Sequence, residues 1–381
     1  MGKEVKIKKK MMIFHPALAP YRIDQFNMLN DLFDLEVVFL FDRLWNFSID
    51  QKKLIDACNF KISYLLIGPR YKGRLFRFGM MRAINRAKPD IVFSYEYSFT
   101  TQYLILLKRL GFIKQKIGSF IDDSLNVCEN VQSKVRKLAR SYSLKHLDYL
   151  VVMSDEVACF YYSRFNFSEN QVLVSPILQL PERLRKNRET IEELAMHYTH
   201  EYKLKGKKVV LFVGRFIPEK GLSLFLNRMA QIIRDNDDFQ FVFVGDGVEK
   251  EKLLSLVKGH KLEEKVVFPG KFQAEELYGW YACASGFLLP SLFEPFGAVV
   301  NEALIFGLTV LCSQFAGAST LIHQGNGYVF NPSDKSDSIN KFNLFMEKIP
   351  ILERINLSNT PPLIVDHRSK FDKEWRKVRY E

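Results

Sequence analysis

Residues 208–222 read KVVLFVGRFIPEKGL. A β-branched and aromatic run, Val209–Val213, ends on Gly214, a charged turn carries Pro218, and Gly221 precedes a stretch with helical spacing, Leu222–Arg234. Strand, tight turn and helix in that order open a crossover unit of a parallel sheet. Reading onward, the same texture repeats. FQFVFVG (239–245), KVVFPG (265–270), GFLLP (286–290) and LTVLC (308–312) read as strands, with helices expected over Lys250–Lys258, Glu275–Ala282 and Gly297–Phe306. Reading back, MMIF (11–14), LEVVFL (35–40), DIVFSY (90–95), KIGSFI (116–121) and YLVVMS (149–154) alternate with helix-like Asp24–Phe33, Lys72–Lys88, Thr101–Leu110 and Gln132–Lys145. Between the series lies LPERLRKNRETIEEL (180–194), which is charged and holds no strand, continuing into a helical segment. The pattern predicts an α/β protein of two Rossmann-like, doubly wound parallel-sheet domains facing a cleft. They are expected at 1–185 and 186–360, with a terminal helix over 361–381. Open parallel sheets place ligand crevices at the carboxyl ends of their strands.

At 381 residues, two domains are the ordinary expectation, and 47% apolar against 26% charged residues excludes a globally disordered chain. The net charge of +12 is unevenly spread, +10 over residues 1–180 and +2 over 181–381. A basic surplus points to an anionic partner: phosphate ligands, an acidic membrane or nucleic acid. No RNA- or DNA-binding motif supports the last. The five cysteines (58, 128, 159, 283 and 312) form no C-x-x-C pair and leave one odd, which fits a reducing compartment better than a disulfide framework or a zinc knuckle. The basic start is not followed by a signal-peptide pattern. The longest nearly apolar run, Ala303–Cys312, is far short of the roughly 18 residues that would span a bilayer. These features lead us to expect a cytoplasmic protein, soluble or peripheral on the inner face of the plasma membrane.

Three segments carry chemistry. In the first, Arg215 follows the strand-ending Gly214 and Lys220 opens the next helix. Two cations at a helix start make a phosphate site, and the alternative is a polar loop with solvated cations. In the second, Gly245 and Gly247 flank Asp246 at a strand end, where glycine admits close approach of a ligand to the backbone. In the third, LLPSLFEPFGAVVNEALIFG, Glu294 and Glu302 are separated by seven intervening residues, one in a loop and one on a helix. Between them Phe296, Gly297 and Ala298 offer helix-start amides. Carboxylates accept from sugar hydroxyls while amides bind phosphate; the alternatives are a capping acid at 294 and a surface acid at 302.

In this order and spacing, GRFIPEKG, VGDG and S-x-F-E-P-F-G-x(4)-E-A-x(3)-G resemble the donor domain of glycosyltransferase family 4, a group of retaining, metal-independent enzymes of the two-Rossmann-domain (GT-B) type with an E-x(7)-E element. The resemblance is strong over Lys207–Pro332. It is looser at PALAPYRIDQF (16–26), HLDYLVVMSDE (146–156) and DHRSKFDKEW (366–375). It implies that Arg215 and Lys220 bind the donor pyrophosphate and stabilise the leaving nucleotide. Glu302 would bind ribose hydroxyls and Glu294 the transferred sugar, with Phe296, Gly297 and Ala298 giving backbone contacts beside Gly214 and Gly245. Pro269, Gly270 and Phe272 would lie near the base. No cofactor or metal is implied beyond the nucleotide-diphosphate sugar. The first loop, His15–Tyr21, lacks the Gly-Gly pair of many relatives, and Asp122 and Asp123 stand where many carry His-Asp. Asp122 is therefore a candidate catalytic acid, with His15, Tyr21, Asp123 and Glu96 on the acceptor side; helix capping is the alternative for the two aspartates.

The stretch RYKGRLFRFGMMRAINRAK (70–88) holds seven cations and no acid. On one continuous helix, Arg74, Arg82 and Arg86 share a face opposite Phe76, Met80, Ala83 and Ile84. A second basic stretch, SKVRKLARSYSLK (133–145), adds five more cations. Such helices suit an anionic membrane surface, the alternative being a core helix with a solvated basic face. The implied activity is transfer of a hexose from a UDP- or GDP-linked sugar to a glycan acceptor, lipid-linked, in the biosynthesis of capsule, O-antigen or lipopolysaccharide. The alternatives are a nucleotide-sugar epimerase or another GT-B enzyme, and a non-catalytic basic binding protein.

Overall fold

A computed structural model describes residues 8–42, 51–71, 74–355, 357–364 and 368–380. The chain divides into two compact units. The first comprises residues 1–178 and 366–381; the second comprises residues 179–365.

The first unit carries β1 (Lys10–His15), β2 (Asp34–Phe39), β3 (Lys61–Tyr64), a two-stranded ribbon of β4 (Arg70–Tyr71) and β5 (Arg74–Leu75), then β6 (Ile91–Tyr95), β7 (Lys116–Phe120), β8 (Tyr149–Val152) and β9 (Val172–Val174). Seven of these form one sheet in the order β3-β2-β1-β6-β7-β8-β9. Every pairing in it is parallel. Helices cover both faces, so its strands are buried almost without alternation, as in β1, where all but Lys10 are buried. The helix Arg368–Tyr380 belongs to this unit. Its Trp375 is fully buried against Phe33, Phe93 and Phe120 at 5.5–6.2 Å. The indole N–H donates to Ser175 Oγ at 3.2 Å, and Glu374 accepts the Val174 amide at 3.0 Å.

The second unit carries β10 (Lys208–Arg215), β11 (Phe239–Asp246), β12 (Val266–Gly270), β13 (Gly286–Leu289), β14 (Thr309–Ser313) and β15 (Gly327–Phe330). They pair in parallel in the order β12-β11-β10-β13-β14-β15. Counted from β10, this is the 3-2-1-4-5-6 order of a Rossmann sheet. The order reverses between β10 and β13 here, and between β1 and β6 in the first unit. Ligands of open α/β sheets bind beyond the carboxyl ends of strands at such reversals.

The fold class is that expected, with local differences. Three short strands, β3, β9 and β15, escape the sequence reading. The helix expected over Lys72–Lys88 is a correction. The chain there forms the ribbon first, and a helix only over Met80–Ala87, entered through Gly79 at φ +96°. Arg74 therefore lies on a strand and shares no helix face with Arg82 and Arg86. The charged connection folds into Pro181–Leu184 and Arg188–Glu201. The first seam between the units falls at 178/179, before the expected 185. Gln179 already belongs to the second unit, its amide donating to Asn301 Oδ1 at 2.7 Å.

Candidate functional site

In the second unit the loops leaving β10 and β13 are stitched together. The amides of Leu292 and Phe293 donate to the Glu219 carbonyl at 2.8 and 3.1 Å. Gly221 stands at φ +69°, and a Cβ there would lie 2.3 Å from the Pro290 carbonyl oxygen. Only glycine permits this approach. The result is that Lys220, in the turn Pro218–Lys220, forms an ion pair with Glu294, which also accepts from Ser291 Oγ at 3.4 Å. Both charged side chains are nearly buried. Arg215 ends β10 and is exposed. A pair of cations, one held and one open to solvent, thus stands at the strand reversal.

Phe296 is buried, and Gly297 caps the helix Ala298–Ile305. Of the first-turn amides of that helix, which lack acceptors in a preceding turn, that of Val300 donates to the Gly297 carbonyl at 3.0 Å. On its second turn Glu302 accepts from Gln179 Nε2 at 2.7 Å and from the Tyr281 hydroxyl at 2.9 Å. Burial raises its carboxyl above the usual range, against the pull of those two donors. Arg183 donates to Gln179 Oε1 at 2.9 Å, extending the chain of bonds to a cation. Gln179, Tyr281 and Arg183 were not expected. A tyrosine and a glutamine far apart in sequence give no local signal that they meet one carboxylate.

The glycines act locally. A Cβ on Gly245 would fall 1.8 Å from the Gly214 carbonyl oxygen, so the close approach it permits is that of the neighbouring strand. Pro269 and Gly270 end β12. Beyond them Lys271 pairs with Asp246 at 3.3 Å. Phe272 packs on Tyr198 and Trp280, each at 5.7 Å, with those two rings stacked at 4.2 Å. Of the expected base-side residues, Phe272 thus joins an aromatic cluster with the buried Tyr198 and Trp280, whereas Pro269 and Gly270 belong to the strand end.

In the first unit, His15, Glu96, Asp122 and Asp123 gather at the ends of β1, β6 and β7. Asp122 pairs with the buried Arg22 and accepts from the Tyr95 hydroxyl at 3.0 Å. Glu96 accepts the Asp122 amide at 3.2 Å, and Arg136 bridges Glu96 at 2.7 Å and Asp123 at 2.5 Å. Neither aspartate caps the helix Leu125–Glu129; that role falls to Ser124. Glu96 sits at φ +53°, an uncommon setting for a residue with a Cβ. Burial, then the nearby Asp123, push its carboxyl up to about 8. Burial raises Asp123 too. His15 lies edge-on to Tyr95 at 5.0 Å, and its Nδ1 meets the Ala17 carbonyl oxygen at 3.0 Å. Burial, then Arg22, lower its pKa to about 3. The ring is therefore neutral, with its Nε2 buried and unpaired. Asp122 Oδ1 is likewise buried without a partner. Tyr21 sits in the turn Pro20–Arg22, partly exposed. Arg22 and Arg136 are the partners the sequence reading missed as site residues; Arg136 had been read as part of a basic helix face.

Of the expected membrane-facing cations, Arg82 and Arg86 are both exposed, and Arg86 also pairs with Glu36 at 2.8 Å. Glu36 also binds Lys61 at 3.2 Å. Among the described residues no cluster of three or more His, Cys, Asp or Glu could hold a metal. One Asp-x-Asp triplet does occur, Asp235-Asn236-Asp237. It precedes β11, at the amino edge of the sheet and so away from the strand ends, and Asp237 there pairs with Lys265 at 2.9 Å. Among the described residues no helix is long and apolar enough to cross a membrane.

Residues 199–357 match the family model described as glycosyl transferases group 1. The 2-deoxystreptamine N-acetyl-D-glucosaminyltransferase of Niallia circulans is 28% identical over 162 residues, 42% of this chain and 42% of that protein. The sulfoquinovosyl transferase SQD2 of Arabidopsis thaliana is 34% identical over 139 residues, 35% of this chain and 26% of that protein. These matches span less than half the length of either relative. Among solved structures, Anabaena Alr3699/HepE in complex with UDP-glucose superposes with a TM-score of 0.69 at 16% identity, over 98% of this chain and 100% of that one. TarM superposes with a TM-score of 0.70 at 10% identity, over all of both chains. These likenesses extend over both units and show a shared two-Rossmann fold.

Proposed function

We propose that the protein is a retaining glycosyltransferase. It moves a hexose from a nucleoside-diphosphate sugar to a lipid-linked glycan acceptor in surface-polysaccharide biosynthesis (capsule, O-antigen or lipopolysaccharide), at the cytoplasmic face of a membrane. The observation that carries the reading is the charged arrangement at the β10/β13 reversal. Lys220 is held by Glu294 on two mutually bonded loops, and Arg215 is exposed beside them at the end of β10. The match over residues 199–357 supports the same reading.

In this reading the bond from the sugar carbon to the phosphate oxygen breaks as the acceptor oxygen bonds that carbon. The acceptor proton passes to the departing phosphate. Negative charge grows on the diphosphate, and fixed cations stabilise it without reorganising. Arg215 and Lys220 supply that charge, so no metal is assigned a step. Glu302, oriented by Tyr281 and Gln179, accepts from ribose hydroxyls, and Glu294 from the transferred sugar.

A thermal-shift panel of nucleoside diphosphates and their sugars tests the reading. UDP is the first to try, since Alr3699/HepE is described with UDP and with UDP-glucose. A ligand at 100 times its dissociation constant adds about 2.7 kcal/mol to stability. One nucleotide should raise the melting temperature while the others do not. No shift with any of them would overturn the reading.

A further inference from the structure

A line of bonded polar side chains runs through the interior of the first unit. It starts on the terminal helix Arg368–Tyr380, where the Trp375 indole N–H donates to Ser175 Oγ at 3.2 Å. Gln25, on the helix Ile23–Leu32, donates from Nε2 to the same Ser175 Oγ at 3.2 Å and to the Ser175 carbonyl at 3.1 Å. Its Oε1 accepts from Arg22 Nη1, and Arg22 Nη2 donates to Asp122 Oδ2. Trp375, Ser175, Gln25 and Arg22 are all fully buried. An aromatic contact runs beside the polar one. Phe120 packs on Trp375 at 5.9 Å between ring centroids, and the Arg22 guanidinium lies 5.9 Å from the same Phe120 ring.

Burying such groups is costly, and a buried ion pair commonly adds little net stability over a well-packed apolar replacement. A fully bonded line does something else: it fixes geometry. A guanidinium has five donors and can meet a carboxylate in more than one way. Here Gln25 takes Nη1 and leaves Nη2 to Asp122. The line ends on Asp122 Oδ2, which also accepts from the Tyr95 hydroxyl at 3.0 Å. Both bonds fall on one oxygen. The other, Oδ1, is buried without a partner, at the strand ends where ligands of such sheets bind. The carboxyl is therefore clamped by one oxygen with the second left open. We propose that Gln25, Ser175 and Trp375 are positioning residues: they fix Arg22, Arg22 fixes Asp122, and the terminal helix thereby sets the orientation of that carboxyl. That the orientation serves sugar transfer rests on the transferase reading; the line of bonds does not.

The experiment is hydrogen exchange of the full chain, read by mass spectrometry at the Asp122 amide, which donates to Glu96 at 3.2 Å. Gln25→Met keeps the length of the side chain and removes its bonds. It should speed exchange there about tenfold or more, the ratio for losing a hydrogen bond to a charged group. Gln25→Glu, as the buried acid, can still accept from Arg22 and donate to Ser175, and should restore protection. Trp375→Phe, the milder variant, keeps a ring in place, removes only the N–H and should act in the same direction. Adding Gln25→Met to Asp122→Ala should bring no further change, because both act through one carboxyl. Acceleration confined to residues 172–175 and 368–380, or equal in Gln25→Met and Gln25→Glu, would overturn the proposal. With the nucleotide sugar that the thermal-shift panel selects, Gln25→Met should lower kcat for nucleotide release about tenfold to a hundredfold, as for a group misplaced by roughly 1 Å, with KM little changed. Unchanged kcat beside faster exchange would remove the positioning role. Exchange that follows the line without any stabilising nucleotide keeps the line and removes the transferase. Exchange that ignores it, with nucleotide binding intact, does the reverse.

Discussion

Single residues carry two separable burdens in this chain, and Lys220 shows both. It neutralises a nearly buried Glu294, and in the proposed reaction it also faces the leaving diphosphate. Lys220→Ala should cost about 1–3 kcal/mol, because it strands a desolvated carboxylate. It should also slow transfer about 10²–10³-fold, the usual loss for one charge-stabilising donor. Adding Glu294→Gln should restore the stability, seen in urea unfolding, while turnover stays low. Recovery of both together would mean the pair is only structural. Glu96 offers a test by pH. Its folded pKa, about 8, lies above the ordinary 4.5. The native state thus holds a proton that the unfolded state has lost. The stability this gives is full below about pH 4.5 and is lost as pH rises towards 8. His15 acts oppositely, its folded pKa of about 3 taking stability away as pH falls below 6.5. Glu96→Gln removes only the first effect. Between pH 4.5 and 8 its melting temperature should therefore fall less than that of the wild type, with the gap levelling off above pH 8. Parallel curves would mean that the carboxyl titrates as in the unfolded chain.

At the scale of elements, what was legible followed from periodicity and turn chemistry. The run Val209–Val213 and its glycine stop can only be a buried strand ending at a loop, and β10 forms there. The helix over 72–88 failed because hydrophobic spacing continues through a segment in which Gly79 must take a left-handed φ. The short strands β3, β9 and β15 have three or four residues each, too few for a period to show. The site was half legible. Arg215, Lys220, Glu294 and Glu302 announce themselves by local spacing. Arg22, Arg136, Tyr281 and Gln179 reach their carboxylates only through tertiary contacts. The turn between β10 and its helix is the element on which the candidate donor site depends. Gly221→Ala should cost about 1–3 kcal/mol through its left-handed φ. It should also reduce turnover more than a surface Gly→Ala does, because the clash with the Pro290 carbonyl displaces the loop that carries Glu294. The exposed Gly206, whose Cβ would meet nothing within 4 Å, is the matched control for strain without a clash.

For the whole molecule, the division into units sharpens the charge. Residues 1–178 with 366–381 carry 33 basic and 21 acidic side chains, and residues 179–365 carry 22 of each. The terminal helix, returned to the first unit, brings the last two charges with it. The second unit is therefore neutral and the entire surplus of +12 lies on the first. A neutral unit can still bind a diphosphate, because two placed cations suffice; a surplus of twelve is not needed for that and implies a longer-ranged attraction. An anionic membrane carrying the proposed lipid-linked acceptor fits it, with each cation near the surface adding about 1 kcal/mol. Such attraction is screened beyond about 8 Å at physiological ionic strength. Co-sedimentation with vesicles of phosphatidylcholine and phosphatidylglycerol should show binding that falls steeply from 50 to 500 mM salt, those being about the bounds of useful screening. Binding should be nearly lost on phosphatidylcholine alone. Arg82→Glu, on an exposed cation, should weaken it without altering nucleotide shifts, whereas Arg86→Glu should also lower stability because Arg86 holds Glu36. Equal binding to neutral and anionic vesicles would show that the surplus charge serves some other anion.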